Sequence, residues 1–176
     1  VSAGNTALAE ALISACRRAG RTPPLSFAST IHVNRDDAYG RSKKQAGKLL
    51  ADFWQSQGSR CAVVHLPNLF GEFSRPEYNN FTGTFCHQIV GGSAPTVNSD
   101  APVQLMHYGD AADALFRALD GSGHEDLHPS GRPTSVATVA TKLVNMHETY
   151  AKGTIPALAD IFDTQLFNML RQVMFQ

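Results

Sequence analysis

No stretch of this 176-residue chain approaches the 18 or so consecutive apolar residues that a membrane-spanning helix needs. Neither sign of charge is in surplus, with 15 Lys and Arg against 15 Asp and Glu, so there is no basic footprint for nucleic acid. Hydrophobic residues make up 43%, which argues against disorder. Cysteine is scarce: Cys16, Cys61 and Cys86 show no CxxC spacing, which fits buried thiols in a reducing cytoplasm. Repeats, low-complexity tracts, charge runs and a secretory signal are all missing. What remains is enough chain for one domain with a real core. It opens Val1-Ser2-Ala3-Gly4-Asn5 without a Met and enters a helical pattern almost at once, so we read it as beginning inside a longer protein.

The stretch around which the rest is organised is Asp36-Asp37-Ala38-Tyr39-Gly40-Arg41-Ser42-Lys43. It reads as a helix start, with Asp36 and Asp37 supplying capping oxygens and negative charge where unpaired N–H groups point. Tyr39 and Lys43 stand four residues apart and share a helix face with Ala46, Leu50 and Phe53, so the pair is expected to look inward. Free tyrosine holds its proton to about pH 10, and a nearby ammonium favours the phenolate. Such a group can give or take a proton. The plainer alternative is a half-buried Tyr beside a snorkelling Lys.

Thr6 to Ala19 carries an apolar stripe of Leu8, Leu12, Ile13 and Cys16 and ends at Gly20, as a helix does. Leu25 to Ala28 reads as a short strand ending in the polar Ser29-Thr30. The Tyr39 helix runs to about Gln57. Cys61 to Leu66 is apolar on both faces, as buried parallel strands are. Helix, strand, helix, strand with short links predicts a parallel α/β sheet. Ligands in such sheets bind at the carboxyl ends of the strands, where Thr30 and Pro67-Asn68 fall. Beyond lie a long loop from Pro67 to Asn80, a helix from Phe81 to Val90 and a strand from Val103 to Tyr108. Three further helices are expected, over Asp110 to Leu119, Ser135 to Tyr150 and Asp160 to Met174.

Several segments, in order, resemble the extended short-chain dehydrogenase/reductases, the NAD-dependent epimerase/dehydratase family. They are Gly4-Asn5-Thr6-Ala7-Leu8-Ala9-Glu10-Ala11, Phe27-Ala28-Ser29-Thr30, Tyr39-Gly40-Arg41-Ser42-Lys43, Leu66-Pro67-Asn68-Leu69-Phe70-Gly71 and Tyr108-Gly109-Asp110. Within the family, the run from Asn68 to Asn80 followed by Thr84-Phe85-Cys86-His87 resembles the reductase half of capsular-polysaccharide enzymes that reduce a 4-keto UDP-deoxyhexosamine. The resemblance implies a partial Rossmann-type sheet with helices on both faces over residues 1–120, including a substrate loop at 67–92. A mainly helical substrate portion over 121–176 would follow. It implies Tyr39, Lys43 and Thr30 as catalytic residues. Lys43, Tyr39, Pro67, Ser29 and Asn5 would meet an NADP or NAD cofactor, and Asn68, Arg75, Asn79 and Asn80 a nucleotide-sugar substrate. The expected setting is surface-polysaccharide synthesis in the cytoplasm, with no nucleic acid, membrane or metal partner. A homodimer through the Tyr39 helix and its predecessor is also implied. A 4-epimerase with bound NAD, or a non-catalytic remnant, are the alternatives. The family's Gly-x-x-Gly-x-x-Gly loop is not found in these 176 residues, and Gln104 stands where many members carry a phosphate-binding Arg.

Three signals are set aside. His124-Glu125-Asp126-Leu127-His128 fits H-E-x-x-H, but Pro129 disfavours helical geometry at His128, so a polar loop is expected. Cys86 and His87 adjoin and do not face each other on a helix. His32, His65, His107 and His147 lack ligand spacing and are read as structural or solvated.

Overall fold

The computed structural model describes residues 2–78 and 80–176, with side chains from residue 4 onward. Two units emerge, interleaved in sequence: Val1–Pro67 with Gly109–Ser130, and Asn68–Tyr108 with Gly131–Gln176. The sequence reading instead placed a single break near residue 120.

In the first unit, helix α1 (Ser2–Ala19) precedes strand β1 (Leu25–Thr30), helix α2 (Ala38–Ser56) and strand β2 (Cys61–Leu66). β1 and β2 pair in parallel, Leu25 opposite Cys61 through Thr30 opposite Leu66, so the two strands end level. Every residue of β2 is buried, which explains why it is apolar on both faces apart from His65. Asp37 caps α2, its Oδ1 accepting from the Gly40 N–H at 2.6 Å. Gly40 is required there, because a Cβ would lie 2.6 Å from the Arg35 carbonyl oxygen. The core between α1, α2 and the sheet gathers Ala9, Ile13, Cys16, Leu50 and Trp54. Trp54 is fully buried and donates its indole N–H to the Pro23 carbonyl (2.6 Å).

The third strand of this sheet corrects the polar-loop reading of residues 124–128. β5 (His124–Leu127) pairs in parallel with β2. Its anchor is Arg60, a buried cation whose guanidinium donates to the carbonyls of Ala118 (3.1 Å) and Ser122 (3.3 Å) and to the Glu125 carboxylate (2.8 Å). A buried charge is tolerated only when its donors are so matched. Helix α4 (Tyr108–Arg117) comes before β5 in the chain.

The second unit also differs from expectation, in two strands that the sequence reading did not name, Asn68–Phe70 and Arg132–Ser135. Part of the loop read from Pro67 onward is strand β3 (Asn68–Phe70), parallel to β4 (Pro102–His107), which pairs antiparallel with β6 (Arg132–Ser135). Helices α3 (Phe81–Val90), α5 (Val136–Ala151) and α6 (Ile161–Met174) supply most of the core, in which Leu143, Leu166 and Leu170 are completely enclosed. Asn80 caps α3 and Ser135 caps α5. Among the described residues no helix is long and apolar enough to cross a membrane.

Truncating Leu166, which is 0% exposed, to Ala should cost about 2–5 kcal/mol. Urea unfolding of the two forms checks this.

Candidate active site

The level ends of β1 and β2 put Thr30 and Pro67 at the same edge of the sheet, and α2 is the connection between the two strands. Thr30 is buried, and its Oγ1 accepts from the His32 N–H (3.2 Å). Ser29, on the opposite face of β1, is 6% exposed and its hydroxyl has no hydrogen-bond partner.

Lys43 reaches back from α2 to β1. Its Nζ donates to the Ala28 carbonyl (3.2 Å) and lies 5.2 Å from the centre of the Phe27 ring. Burial holds this ammonium below the usual lysine range. Ser29 and Lys43 line one cavity of about 490 Å³ together with Lys48, His65, His124 and Asp126. Tyr39 occupies the first turn of α2 and is 44% exposed, outside that lining. The inward-looking pair of the sequence reading is therefore half right: Lys43 is partly enclosed and Tyr39 faces out.

Asn5 donates its amide to Ser42 Oγ at 3.0 Å, tying α1 to the face of α2 away from Lys43. Asn68, Arg75 and Asn80 belong to the second unit. Asn80 is engaged as the α3 cap, its Oδ1 accepting from the N–H groups of Thr82 and Gly83. Arg75 lies 5.5 Å from the Tyr78 ring centre. Asn79 lies outside the described residues.

Sequence reasoning missed a histidine cluster on the cavity wall. The Asp126 carboxylate accepts from Nε2 of both His65 (2.8 Å) and His124 (3.2 Å), and the His65 ring stacks on His128 with centroids 4.4 Å apart. Residues 124, 126 and 128 alternate, which is the signature of one strand face, but the five-residue motif drew attention to helical spacing instead. A second missed group lies in the other unit, where Glu72 accepts from His107 Nε2 (3.0 Å) and is hydrogen-bonded to Tyr108. The Tyr108 ring passes so close to Gly71 that a Cβ would lie 2.0 Å from it.

A parallel sheet with level strand ends, crossed by a helix bearing Tyr and Lys one turn apart, is a Rossmann-type α/β arrangement. Residues 3–127 match the NAD dependent epimerase/dehydratase family, and the chain belongs to it. A curated relative is the UDP-2-acetamido-2,6-beta-L-arabino-hexul-4-ose reductase of Pseudomonas aeruginosa, 36% identical over 119 residues, 67% of this chain and 32% of the relative. The chain thus spans about a third of that protein's length. Among solved structures, the capsular polysaccharide assembling protein CapF from Staphylococcus aureus superposes with a TM-score of 0.83 at 23% identity, covering 94% of this chain and 47% of that one. RMD from Pseudomonas aeruginosa, complexed with NADPH, gives 0.80 at 14% identity, covering 98% and 73%.

The cluster on β5 makes an acid-sensitivity prediction. Partial burial pushes the Asp126 carboxyl up, but hydrogen bonds from His65 and His124 and their charge outweigh it, so its pKa is depressed. A depressed carboxyl stabilises the fold above its unfolded pKa of about 3.9, and this contribution is lost as pH falls through the folded value. Melting temperatures measured from pH 5.5 to pH 3 should therefore fall less steeply in Asp126→Asn than in the wild type.

Proposed function

We propose that this chain is part of an NAD(P)-dependent reductase acting on a 4-keto nucleotide sugar of the UDP-deoxyhexosamine type, in capsule or other surface-polysaccharide synthesis in the cytoplasm. The observation that carries the reading is the β1–α2–β2 arrangement: Thr30 and Pro67 end paired strands at one edge, and the helix between those strands bears Tyr39 and Lys43. The relative that shares 36% identity is named as a reductase of a UDP-linked hexulose, which supports the substrate class.

The residues present suit the nicotinamide end of the cofactor. The orphan Ser29 hydroxyl and the Lys43 ammonium, with further N–H groups to donate, line the same cavity and match a hydroxyl-rich ribose. Pro67 is assigned to the nicotinamide face, and Asn5 supports the site through Ser42. When bound, the cofactor supplies hydride to the C4 carbonyl. Thr30 hydrogen-bonds the oxygen that gains charge. Tyr39 gives its phenolic proton to that oxygen as it becomes a hydroxyl, and recovers it from solvent, to which its ring is open. Asn68, Arg75, Asn79 and Asn80 are assigned to the nucleotide sugar, with Arg75 supplying charge for the diphosphate. Assembly as a homodimer through α1 and α2 fits the exposed Leu8 and Leu12 on α1.

The test is stoichiometric oxidation of NADPH or NADH by the enzyme with a UDP-4-keto-deoxyhexosamine. Tyr39→Phe should lower kcat by about 10²–10⁴-fold, the worth of a positioned general acid. Lys43→Ala should raise the KM for cofactor as well. Interconversion of C4 epimers without net cofactor consumption would instead make the enzyme an epimerase.

A further inference from the structure

Phe73 breaks two local rules at once. Its ring is 78% exposed, and its backbone sits at φ +60°, in the left-handed region that a bulky residue enters only against steric resistance. A glycine would take the same turn without strain. The conformation is held from outside the residue. Gln172 on α6 accepts a hydrogen bond from the Phe73 N–H through its Oε1 (2.7 Å). Next along, Ser74 Oγ donates to the Gly71 carbonyl (2.6 Å) and accepts from Asn80 Nδ2 (3.0 Å). Glu77, itself at φ +57°, donates its N–H to Thr84 Oγ1 (2.9 Å). The turn is thus pinned at three points while it presents Phe73 and Tyr78, 63% exposed, to solvent.

An exposed ring on a strained backbone is unfavourable for the chain alone, and a ligand that covers the ring recovers the apolar part. The geometry points to Phe73 as a stacking face for the hexose ring of the nucleotide sugar, an inference that rests on the substrate class proposed above. A deoxyhexose suits this face, since its C–H groups and C6 methyl present apolar, weakly positive surface to the electron-rich face of an aromatic ring. Arg75, two residues on and held over Tyr78, supplies the positive charge that the neighbouring diphosphate requires. Phe73 is in this reading a specificity-determining residue for the sugar, not for the nucleotide.

The test compares wild type, Phe73→Gly and Phe73→Tyr by calorimetric titration with UDP and with a UDP-N-acetyl-deoxyhexosamine, and by thermal unfolding. Phe73→Gly should raise the unfolding temperature, because it relieves the backbone, while weakening the sugar nucleotide about tenfold and leaving UDP unchanged. Phe73→Tyr keeps a flat ring and should stay within about twofold of wild type for both ligands. Equal weakening of UDP and the sugar nucleotide would assign the ring to the base and overturn the hexose contact. An undiminished affinity of Phe73→Gly for the sugar nucleotide would overturn it outright and leave the substrate class standing. A lowered unfolding temperature in Phe73→Gly would make Phe73 a packing residue, which also overturns it. Should the wild type bind neither ligand, the substrate class itself fails and this contact falls with it.

Discussion

The level register of β1 and β2 is the constraint on which the first unit depends. Parallel strands cannot be joined by a tight turn, so the chain must return along a helix before the second strand begins. With Thr30 opposite Leu66, the crossover leaves from and the next segment departs from the same edge. α2 therefore starts at the polar end of the sheet and runs back along it, and whatever stands in its first two turns stands near that edge. Tyr39 and Lys43 are in those turns. Their position is a consequence of topology, and Asp37 fixes its phase by capping the helix at one defined residue.

The sheet's outer strand is held by different means. β5 reads His-Glu-Asp-Leu and brings little apolar surface of its own. Polar matching takes the place of burial: Arg60 binds Glu125 and the carbonyls of Ala118 and Ser122, and Asp126 joins His65 to His124. Arg60 and His65 are both buried, so their partners carry the full consequence of leaving either unmatched. β5 is thus more sensitive to charge than β2, which is apolar apart from His65.

Legibility in the sequence followed the source of each element's stability. β2, α2 and α3 were legible because burial or a cap residue writes them locally: five apolar or small residues of the six in β2, Asp37 before α2, Asn80 before α3. β5 and β3 were not, because their pairing depends on partners far away in sequence. His124–Leu127 has neither apolar alternation nor β-branched residues, and it is a strand through its pairing with β2 and the bonds to Arg60 and His65, about sixty positions earlier. The outward Tyr39 has a similar cause. Helical periodicity assigned it to the face of Ala46 and Leu50, but that face reaches the sheet only from Lys43 onward, where the Ala28 carbonyl receives the ammonium.

Three features of the chain are locally unfavourable and bear on the proposed site. Ser29 buries a hydroxyl without a partner, Lys43 holds an ammonium partly away from water, and Phe73 strains its backbone to expose a ring. Ser26 and Gln172 also bury side-chain atoms without a partner and Glu77 shares the positive φ of Phe73, while much of the chain follows ordinary rules: α2, α3, α5 and α6 carry side-chain caps, the buried Arg60 donates from all three of its nitrogens, and Leu143, Leu166 and Leu170 fill the core. A sequence that meets those rules so consistently and breaks them at a few positions has been shaped at those positions by something other than stability. Two of the three line one cavity beside the polar end of the parallel sheet. The third lies in the turn that follows β3. A hydroxyl and an ammonium with bonding capacity to spare call for a polyhydroxyl ligand, and an open aromatic ring calls for a flat apolar face.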